Sequence, residues 1–249
     1  MSGFLRNTRL AFNSVIETTG FQLVRPDESI YKMSYQPFPK TLKAAEKARL
    51  SVGDYIDAKF HVPGATQEAI DQMALLGIFR NGIEKVCEIG PGSGRYLAKV
   101  LEQCKPGVYE IYETDPPWAA WLEKTYHVIA CHADGISLKQ TNDESVDLVH
   151  AHKVFVYLPC VVVSQYLDEM SRVVRKDGWI VFDVVSENCM TEELLRKWVA
   201  MHVFYPCMMS RDYVVDFLKR RGCALQGSFF ATMRPGYSEY LVFRKAASG

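Results

Sequence analysis

Apolar positions follow two different patterns along the chain, and the change falls near residue 80. Before it, apolar side chains recur at three- and four-residue spacing, which places them on one face of a helix. This spacing predicts helices between Phe4 and Ile16, over Lys40–Leu50 and over Ala65–Phe79, the last with Thr66 as its N-cap. We therefore expect residues 1–80 to form a helical extension or lid without β-strands.

From residue 84 onward, short β-branched runs alternate with helical patterns. This alternation is typical of βαβ units, in which helices connect parallel strands. The predicted strands are Glu84–Ile89, Val108–Glu113, Val128–Cys131, Val146–Ala151, Trp179–Val185, Ala224–Thr232 and Glu239–Phe243. The predicted helices are Arg95–Cys104, Pro116–Tyr126, Val161–Val174, Thr191–Val203 and Arg211–Arg221.

The last two predicted strands flank a turn signal, Arg234-Pro235-Gly236, and are expected to pair antiparallel. The predicted fold class is α/β: a seven-stranded, mostly parallel sheet with helices on both faces, an antiparallel C-terminal hairpin and an N-terminal helical extension. We expect residues 81–249 to form one domain and residues 1–80 to form the extension in front of it.

Composition and charge narrow the function classes. Apolar residues make up 48% of the chain and charged residues 23%, as in ordinary globular proteins. The 29 basic and 29 acidic residues give no net charge, which argues against a protein that binds long DNA or RNA by neutralising phosphates. The seven cysteines include no C-x-x-C pair, so we expect reduced thiols rather than a disulfide framework or a zinc site.

The most apolar run bears on localisation. Val154–Val163 contains a proline and is far shorter than the roughly 20 apolar residues that a helix needs to cross a bilayer. The first residues contain no apolar run of the length that a signal peptide requires. We therefore expect a cytoplasmic protein with no membrane span.

A glycine-rich segment follows the first predicted strand. The stretch Val86–Leu97 reads VCEIGPGSGRYL, with glycines at 90, 92 and 94 just before a predicted helix. Glycines at alternating positions let the backbone turn tightly and approach a ligand, and the helix N-terminus behind them offers free N–H groups. In open α/β sheets, ligands bind at this kind of crossover. The segment is therefore a candidate cofactor loop.

The spacing of the glycines separates the possible cofactors. A dinucleotide fingerprint needs a third glycine where Arg95 or Leu97 stands, and the lysine of a P-loop is missing. The pattern is instead acidic-x-Gly-x-Gly-x-Gly, beginning at Glu88, and here the sequence resembles the class I S-adenosylmethionine-dependent methyltransferases. That resemblance implies S-adenosylmethionine as cofactor and S-adenosylhomocysteine as product. It also implies cofactor contacts from Glu88, Gly90, Gly92, Ser93 and Gly94.

The second predicted strand carries an independent signal. In nucleotide-binding folds of this kind, a carboxylate about 20 residues beyond the glycine loop accepts hydrogen bonds from the ribose hydroxyls. Glu113 closes the strand at this spacing, and the family's similar acidic-x-x-Pro run favours Glu113 over Asp115 as the ribose ligand. We also expect Thr114, which follows it, to contact the cofactor.

Two further segments match the family in order. Asp134-Gly135 follows the short third strand, where an acidic residue of the family contacts the adenine amino group. His150 ends the fourth strand, and we expect it to lie near the methionine part of the cofactor. The matching motifs together extend from residue 84 to about 185.

Methyl transfer itself makes few demands on the protein. The sulfonium makes the methyl group electrophilic, so the protein must mainly align the acceptor for in-line displacement. A general base is required where the acceptor is protonated at neutral pH, as an alcohol or a phenol is, but not for a carboxylate or a neutral amine. His152 follows the fourth strand, titrates near neutrality and is the predicted base. No third ligand stands near the two histidines, so we expect no metal site.

These observations predict a methyltransferase that acts on a small molecule or biosynthetic intermediate, with an oxygen of a sugar or natural-product hydroxyl as the favoured acceptor. Three alternatives stay open: an RNA methyltransferase, a protein methyltransferase, and a catalytically silent S-adenosylmethionine-binding protein. RNA methylation would need a basic groove, and DNA is not an expected partner. A homodimer through the N-terminal helices is possible. The basic residues that an RNA-binding groove could contain are Arg6, Arg9, Lys40, Lys43, Lys47 and Arg49.

Overall fold

The computed structural model describes residues 36–80, 82–200, 208–233 and 236–247. The helix predicted between Phe4 and Ile16 lies outside these residues. Helices and strands are numbered here along the described part of the chain. Three helices come first: α1 (Phe38–Ala48), α2 (Val52–Phe60) and α3 (Ala65–Leu75).

From β1 onward, strands and helices alternate as the sequence predicts. They are β1 (Lys85–Ile89), α4 (Arg95–Cys104), β2 (Val108–Tyr112), α5 (Pro116–Tyr126), β3 (Ile129–Cys131), β4 (Val146–Ala151), α6 (Cys160–Val173), β5 (Val174–Val184), α7 (Glu192–Ala200), α8 (Arg211–Lys219), β6 (Cys223–Met233) and β7 (Gly236–Lys245). Short 3₁₀ helices at Phe155–Tyr157 and Glu187–Cys189 follow β4 and β5.

The seven strands form one sheet in the order β3-β2-β1-β4-β5-β7-β6. The first five are parallel to one another, while β7 runs antiparallel to both β5 and β6. The predicted α/β class, mostly parallel sheet and C-terminal hairpin are therefore confirmed. The strand order reverses between β1 and β4, and ligands bind at such a switch point, outside the carboxyl ends of the strands.

Two apolar layers cover the two faces of the sheet. On one face, α3, α4 and α5 pack over Val86, Ile111 and Val181. On the other face, α6 and α8 pack over Ile180 and Phe243, among other residues. Helices on both faces are what a parallel sheet needs to keep its strands away from water.

The helices before β1 differ from the sequence prediction in two respects. Helix α2 was not predicted. It begins after Ser51, whose Oγ accepts a hydrogen bond from the Asp54 N–H at 3.0 Å. The prediction that Thr66 is the N-cap of α3 is wrong: Gly64 occupies that position. Thr66 lies inside the helix, where its N–H and hydroxyl both donate to the Asp57 carboxylate of α2. The capping acceptor therefore comes from another helix, which local sequence cannot reveal.

Strand β5 also begins earlier than predicted. The segment Lys176-Asp177-Gly178, whose sequence is typical of a turn, lies within β5. The strand accommodates it through a shift in its pairing with β4, from Val146–Val174 to Leu148–Trp179. Asp177 has φ +60°, as expected for an irregularity of this kind. The predicted division of the chain at residue 80 stays a prediction.

Candidate functional site

The glycine loop between β1 and α4 takes a left-handed backbone conformation at all three glycines. Two of them lie against other parts of the fold: a Cβ on Gly90 would be 2.7 Å from Val154, and one on Gly94 would be 2.4 Å from Leu122. Gly92 has φ +53°, and a Cβ built on it meets no protein atom within 4 Å. Gly92 therefore presents its bare backbone to open space at the sheet edge. The predicted contact Ser93 follows it and is half-buried.

Glu113 lies against this loop. Its Oε2 accepts a hydrogen bond from the Gly92 N–H at 2.7 Å, and its Oε1 accepts one from the Asp115 N–H at 2.8 Å. Burial raises the pKa of the Glu113 carboxyl. Asp115 is engaged as the N-cap of α5, accepting from the Trp118 N–H at 3.3 Å. The fold thus brings Glu113, rather than Asp115, to the glycine loop, with Thr114 exposed beside it.

Asp134 caps a turn after β3, at the same sheet edge. Its carboxylate accepts hydrogen bonds from the N–H groups of Ile136 and Ser137, from the Ser137 hydroxyl and from Lys139 Nζ. These bonds, chiefly that of the Ser137 hydroxyl, hold the pKa of Asp134 below its ordinary value. Gly135, with φ +80°, completes the turn. The contact of this turn with adenine stays a prediction.

Glu88 and His150 are neighbours on β1 and β4 and belong to one buried chain of hydrogen bonds. The Tyr109 hydroxyl donates to Glu88 Oε2 at 2.6 Å and lies 3.0 Å from His150 Nε2. Burial raises the pKa of Glu88 to about 8 and lowers the pKa of His150 well below its usual value. The three hydrogen-bonded side chains, Glu88, Tyr109 and His150, therefore carry no net charge at neutral pH. Their contacts with the cofactor stay predictions.

Tyr109, which joins these two groups, was not singled out in the sequence. Tyr109 pairs with Val86 of β1, so its side chain lies on the same face of the sheet as those of Val86 and Glu88. The signal was the alternation in VYEIYE, which places Tyr109 and Ile111 on the same face of the strand. That alternation does not reveal which polar group the hydroxyl meets.

His152, the predicted base, lies beyond the end of β4 and is 5% exposed. Its ring stacks on Tyr96 with centroids 4.1 Å apart and planes 10° apart, and its Nδ1 lies 3.1 Å from the Tyr240 hydroxyl. Among the described residues, Nε2 has no hydrogen-bond partner. Burial, together with the positive charges of Lys153 and Arg95, lowers the pKa of His152 well below its usual value. The imidazole is therefore neutral at physiological pH.

A buried ion pair adjoins His152. Lys153 Nζ lies 3.1 Å from Asp183 Oδ2 and 2.5 Å from Ser238 Oγ, while the Lys153 N–H donates to Asp183 Oδ1 at 2.7 Å. Asp183 is fully buried near the end of β5. Asp183 was not singled out in the sequence, where the available signal was one acidic residue within the apolar strand WIVFDVV.

The first residue of α4 links the N-terminal helices to this site. Arg95 donates to Asp57 of α2 at 2.6 Å, and its guanidinium lies 4.9 Å from the centre of the Tyr96 ring. Asp57 also accepts the two hydrogen bonds from Thr66 of α3. The helices before β1 are therefore anchored directly behind the glycine loop.

A cavity of about 470 Å³ opens at the same edge of the sheet, where β5 ends and β7 begins. Its lining combines apolar and aromatic side chains with a few polar groups: Asn188, Cys189, Thr191, Glu193, Leu194, Lys197, Phe230 and Tyr237. Its volume is within the range of small-molecule pockets.

In the described ranges, no three His, Cys, Asp or Glu side chains are grouped so as to hold a metal ion. The six cysteines within those ranges are free thiols. No helix in that part of the chain is long and apolar enough to span a bilayer.

Comparison with solved structures places this fold among methyltransferases. The N-methyltransferase NodS from Bradyrhizobium japonicum, solved with S-adenosylhomocysteine, is 16% identical over 83% of this chain and 99% of its own, with a TM-score of 0.58. An O-methyltransferase family protein from Burkholderia thailandensis is also 16% identical, over 83% of this chain and 63% of its own, with a TM-score of 0.58.

A third similar structure is the magnesium protoporphyrin IX methyltransferase from Synechocystis, solved with S-adenosylhomocysteine. It is 13% identical over 74% of this chain and 84% of its own, with a TM-score of 0.55. These three relatives differ in the acceptors that their names give, and at such identities they share the fold alone. No curated protein sequence matches this chain.

The family assignment comes from the sequence. The model of a family described as a methyltransferase domain matches residues 37–226, which is well over half of the chain and contains the glycine loop, Glu113 and the His152 segment. The strand order and the C-terminal hairpin agree with it. The chain therefore belongs to the class I S-adenosylmethionine-dependent methyltransferases.

Proposed function

We propose that this methyltransferase acts on a hydroxyl oxygen of a small molecule and that His152 accepts the hydroxyl proton. One observation carries the proposal: a buried, neutral imidazole at the carboxyl end of β4 with no described partner for its Nε2 atom. An unpaired nitrogen lone pair in such a place is suited to accept a proton. The Tyr96 ring covers His152, so in this proposal it shifts when the acceptor binds.

The residues at the glycine loop fit S-adenosylmethionine. Gly92 leaves open the space that a side chain would fill, and α4 begins directly after Gly94. The two oxygens of the Glu113 carboxylate accept backbone hydrogen bonds from Gly92 and Asp115, and each retains a lone pair that can accept a ribose hydroxyl. Bound there, the cofactor would supply an electrophilic methyl group. The remaining proposed cofactor contacts are Glu88, Gly90, Ser93, Gly94, Thr114, Asp134, Gly135 and His150.

The kind of acceptor determines whether His152 is needed. A hydroxyl group keeps its proton at neutral pH and has to lose it as the new bond forms, whereas a carboxylate or a neutral amine does not. Burial and the charges of Lys153 and Arg95 keep His152 unprotonated at physiological pH, so its lone pair is available. The same groups make it a weak base, so the proton is transferred as the methyl–oxygen bond forms, when the hydroxyl becomes strongly acidic. A strong dependence on His152 would therefore favour an oxygen acceptor.

The size and lining of the cavity at the β5–β7 edge support a small molecule as the acceptor. Its volume of about 470 Å³ suits a compact organic molecule, and Leu194, Phe230 and Tyr237 offer apolar contact. The cavity also lies beside the segment that carries His152. Tyr237 lines the cavity, and the next residue, Ser238, contacts Lys153.

The first experiment is titration calorimetry with S-adenosylmethionine, S-adenosylhomocysteine and NAD. We expect the first two to bind and NAD not to bind. Transfer of a labelled methyl group is then followed in separated small-molecule, RNA and protein fractions of a cell extract. Label in RNA or protein alone would contradict a small-molecule acceptor, and binding without any transfer would favour a silent cofactor-binding protein.

The second experiment tests the base. We expect His152→Gln to lower turnover by roughly 10²- to 10⁴-fold, the usual contribution of general base catalysis. S-adenosylhomocysteine affinity should change less than about twofold, since a twofold change is only ~0.4 kcal/mol. The matched control is His132→Gln, which alters an exposed histidine after β3. Unchanged turnover in His152→Gln would rule out its role as base.

A further inference from the structure

Neutral histidine has two tautomers, and they are not equivalent as bases. The ring nitrogen that carries the proton is a donor, and only the other nitrogen can accept a proton. If His152 acts through Nε2, the proton must reside on Nδ1. Which tautomer forms is set by the partner of the other nitrogen. For His152 that partner is the hydroxyl of Tyr240, 3.1 Å from Nδ1.

The hydroxyl of Tyr240 remains protonated. It is fully buried on β7, and burial, followed by the negative charge of Asp183 and interaction with Tyr96, raises its pKa well above the ordinary value. A protonated hydroxyl can either donate to Nδ1 or accept from it. The Tyr240 oxygen is therefore able to accept from the Nδ1–H of His152.

The environment of Nε2 decides between the two arrangements. A proton on Nε2 would be a buried N–H donor without a partner among the described residues. Orphaned buried N–H groups are rarer in proteins than under-satisfied acceptors, because the unpaired donor bears the full cost of desolvation. A lone pair at Nε2, in contrast, is an acceptor that a substrate hydroxyl can later satisfy.

We infer that Tyr240 is a positioning residue that holds the His152 proton on Nδ1 and so keeps the lone pair of Nε2 available to the acceptor. This inference rests on the proposed function for its consequence in catalysis, but the tautomer itself can be observed without substrate.

Packing around Tyr240 keeps the hydroxyl in this position. Its ring stacks on Phe229 of β6, with centroids 4.7 Å apart and planes 5° apart. Lys153 Nζ lies 5.1 Å from the ring centre, on a lysine that also pairs with Asp183. Tyr240 therefore cannot turn away from His152 without losing these contacts, and it keeps its place when Tyr96 shifts to admit the acceptor.

The test reads the tautomer by NMR. Long-range ¹H–¹⁵N correlation spectra of the ¹⁵N-histidine-labelled full chain, recorded without ligand and assigned with His152→Gln, should give the Nδ1–H pattern for His152. In Tyr240→Phe, which keeps the aromatic ring, that pattern should change to Nε2–H or to a mixture. The matched control is Tyr112→Phe, which removes the hydroxyl of a buried tyrosine in the other apolar layer, one that contacts Thr141. It should leave the His152 signal unchanged.

Kinetics supply the second readout. We expect Tyr240→Phe to lower kcat by roughly tenfold to 10⁴-fold. The upper figure is the loss that follows when a catalytic histidine is held in the wrong tautomer. KM for S-adenosylmethionine should not change. An Nε2–H pattern in the wild-type protein would overturn the inference, and so would an unchanged Nδ1–H pattern in Tyr240→Phe. The wild-type spectrum tests the tautomer of His152 even if the variant fails to fold. If turnover does not depend on His152, the proposed function fails while the tautomer result stands.

Discussion

The open space in front of Gly92 leads to a sharp prediction for Gly92→Ala. An added methyl group at this position meets no protein atom within 4 Å, so it should disturb the fold only through its backbone conformation, φ +53°. An L-residue with a Cβ in the left-handed region costs roughly 1–2 kcal/mol. For a chain of this length, that corresponds to a decrease of about 2–8 °C in Tm.

The same methyl group should obstruct cofactor binding. The Gly92 N–H donates to Glu113, so this glycine lies beside the proposed ribose ligand. A side chain that forces the cofactor to withdraw and lose about one hydrogen bond costs ~1.4 kcal/mol, or a tenfold loss of affinity. We expect calorimetric titration with S-adenosylhomocysteine to show a loss of at least that size.

Gly222→Ala is the matched control. Gly222 has φ +75°, and an added Cβ there also meets nothing within 4 Å. It precedes β6, which runs parallel to β5, and therefore lies at the sheet edge opposite the glycine loop. Both variants should lose the same stability, and only Gly92→Ala should lose affinity. Equal S-adenosylhomocysteine affinity in the two variants would refute the assignment of this loop to the cofactor.

Two further predictions concern carboxyl groups. Glu113→Gln should weaken S-adenosylhomocysteine binding by about 1–3 kcal/mol, because a charged acceptor of the ribose hydroxyls becomes neutral; calorimetry within twofold of the wild-type affinity would exclude this role. The pKa of Glu88 is raised by burial from about 4.5 in the unfolded chain to about 8, so its contribution to stability is complete below pH 4.5 and is lost as the pH rises towards 8. Wild-type unfolding free energy should fall by up to roughly 1 kcal/mol per pH unit relative to Glu88→Gln between pH 6.5 and 8. Parallel pH profiles from urea denaturation would contradict the raised pKa.

Local chemistry made several elements predictable from the sequence. Helices α4 and α5 have the predicted bounds, because glycines, prolines and an Asp cap mark their ends. The antiparallel hairpin of β6 and β7 was predictable for the same reason: a turn signal stands between two apolar strands. Such signals act within a few residues, so they can be recognised in a single sequence.

The family and the position of the glycine loop were also within reach of the sequence. The acidic-x-Gly-x-Gly-x-Gly spacing and the distance to Glu113 depend on the order of residues along the chain, and the family match over residues 37–226 confirms what they indicated about the methyltransferase class. That Glu113 lies against Gly92 follows from β2 pairing with β1, which the alternation of strands and helices already implied.

The surroundings of the reactive groups were decided only by the tertiary structure. Asp57 contacts Thr66 and Arg95 across three helices, and Tyr240 reaches His152 from a strand 88 residues further along the chain. These contacts depend on strand order and on which face each side chain occupies. The histidine that sequence places after β4 became a neutral, oriented imidazole only because distant residues enclose it, since burial and partner geometry are properties of the packed fold and not of any one segment.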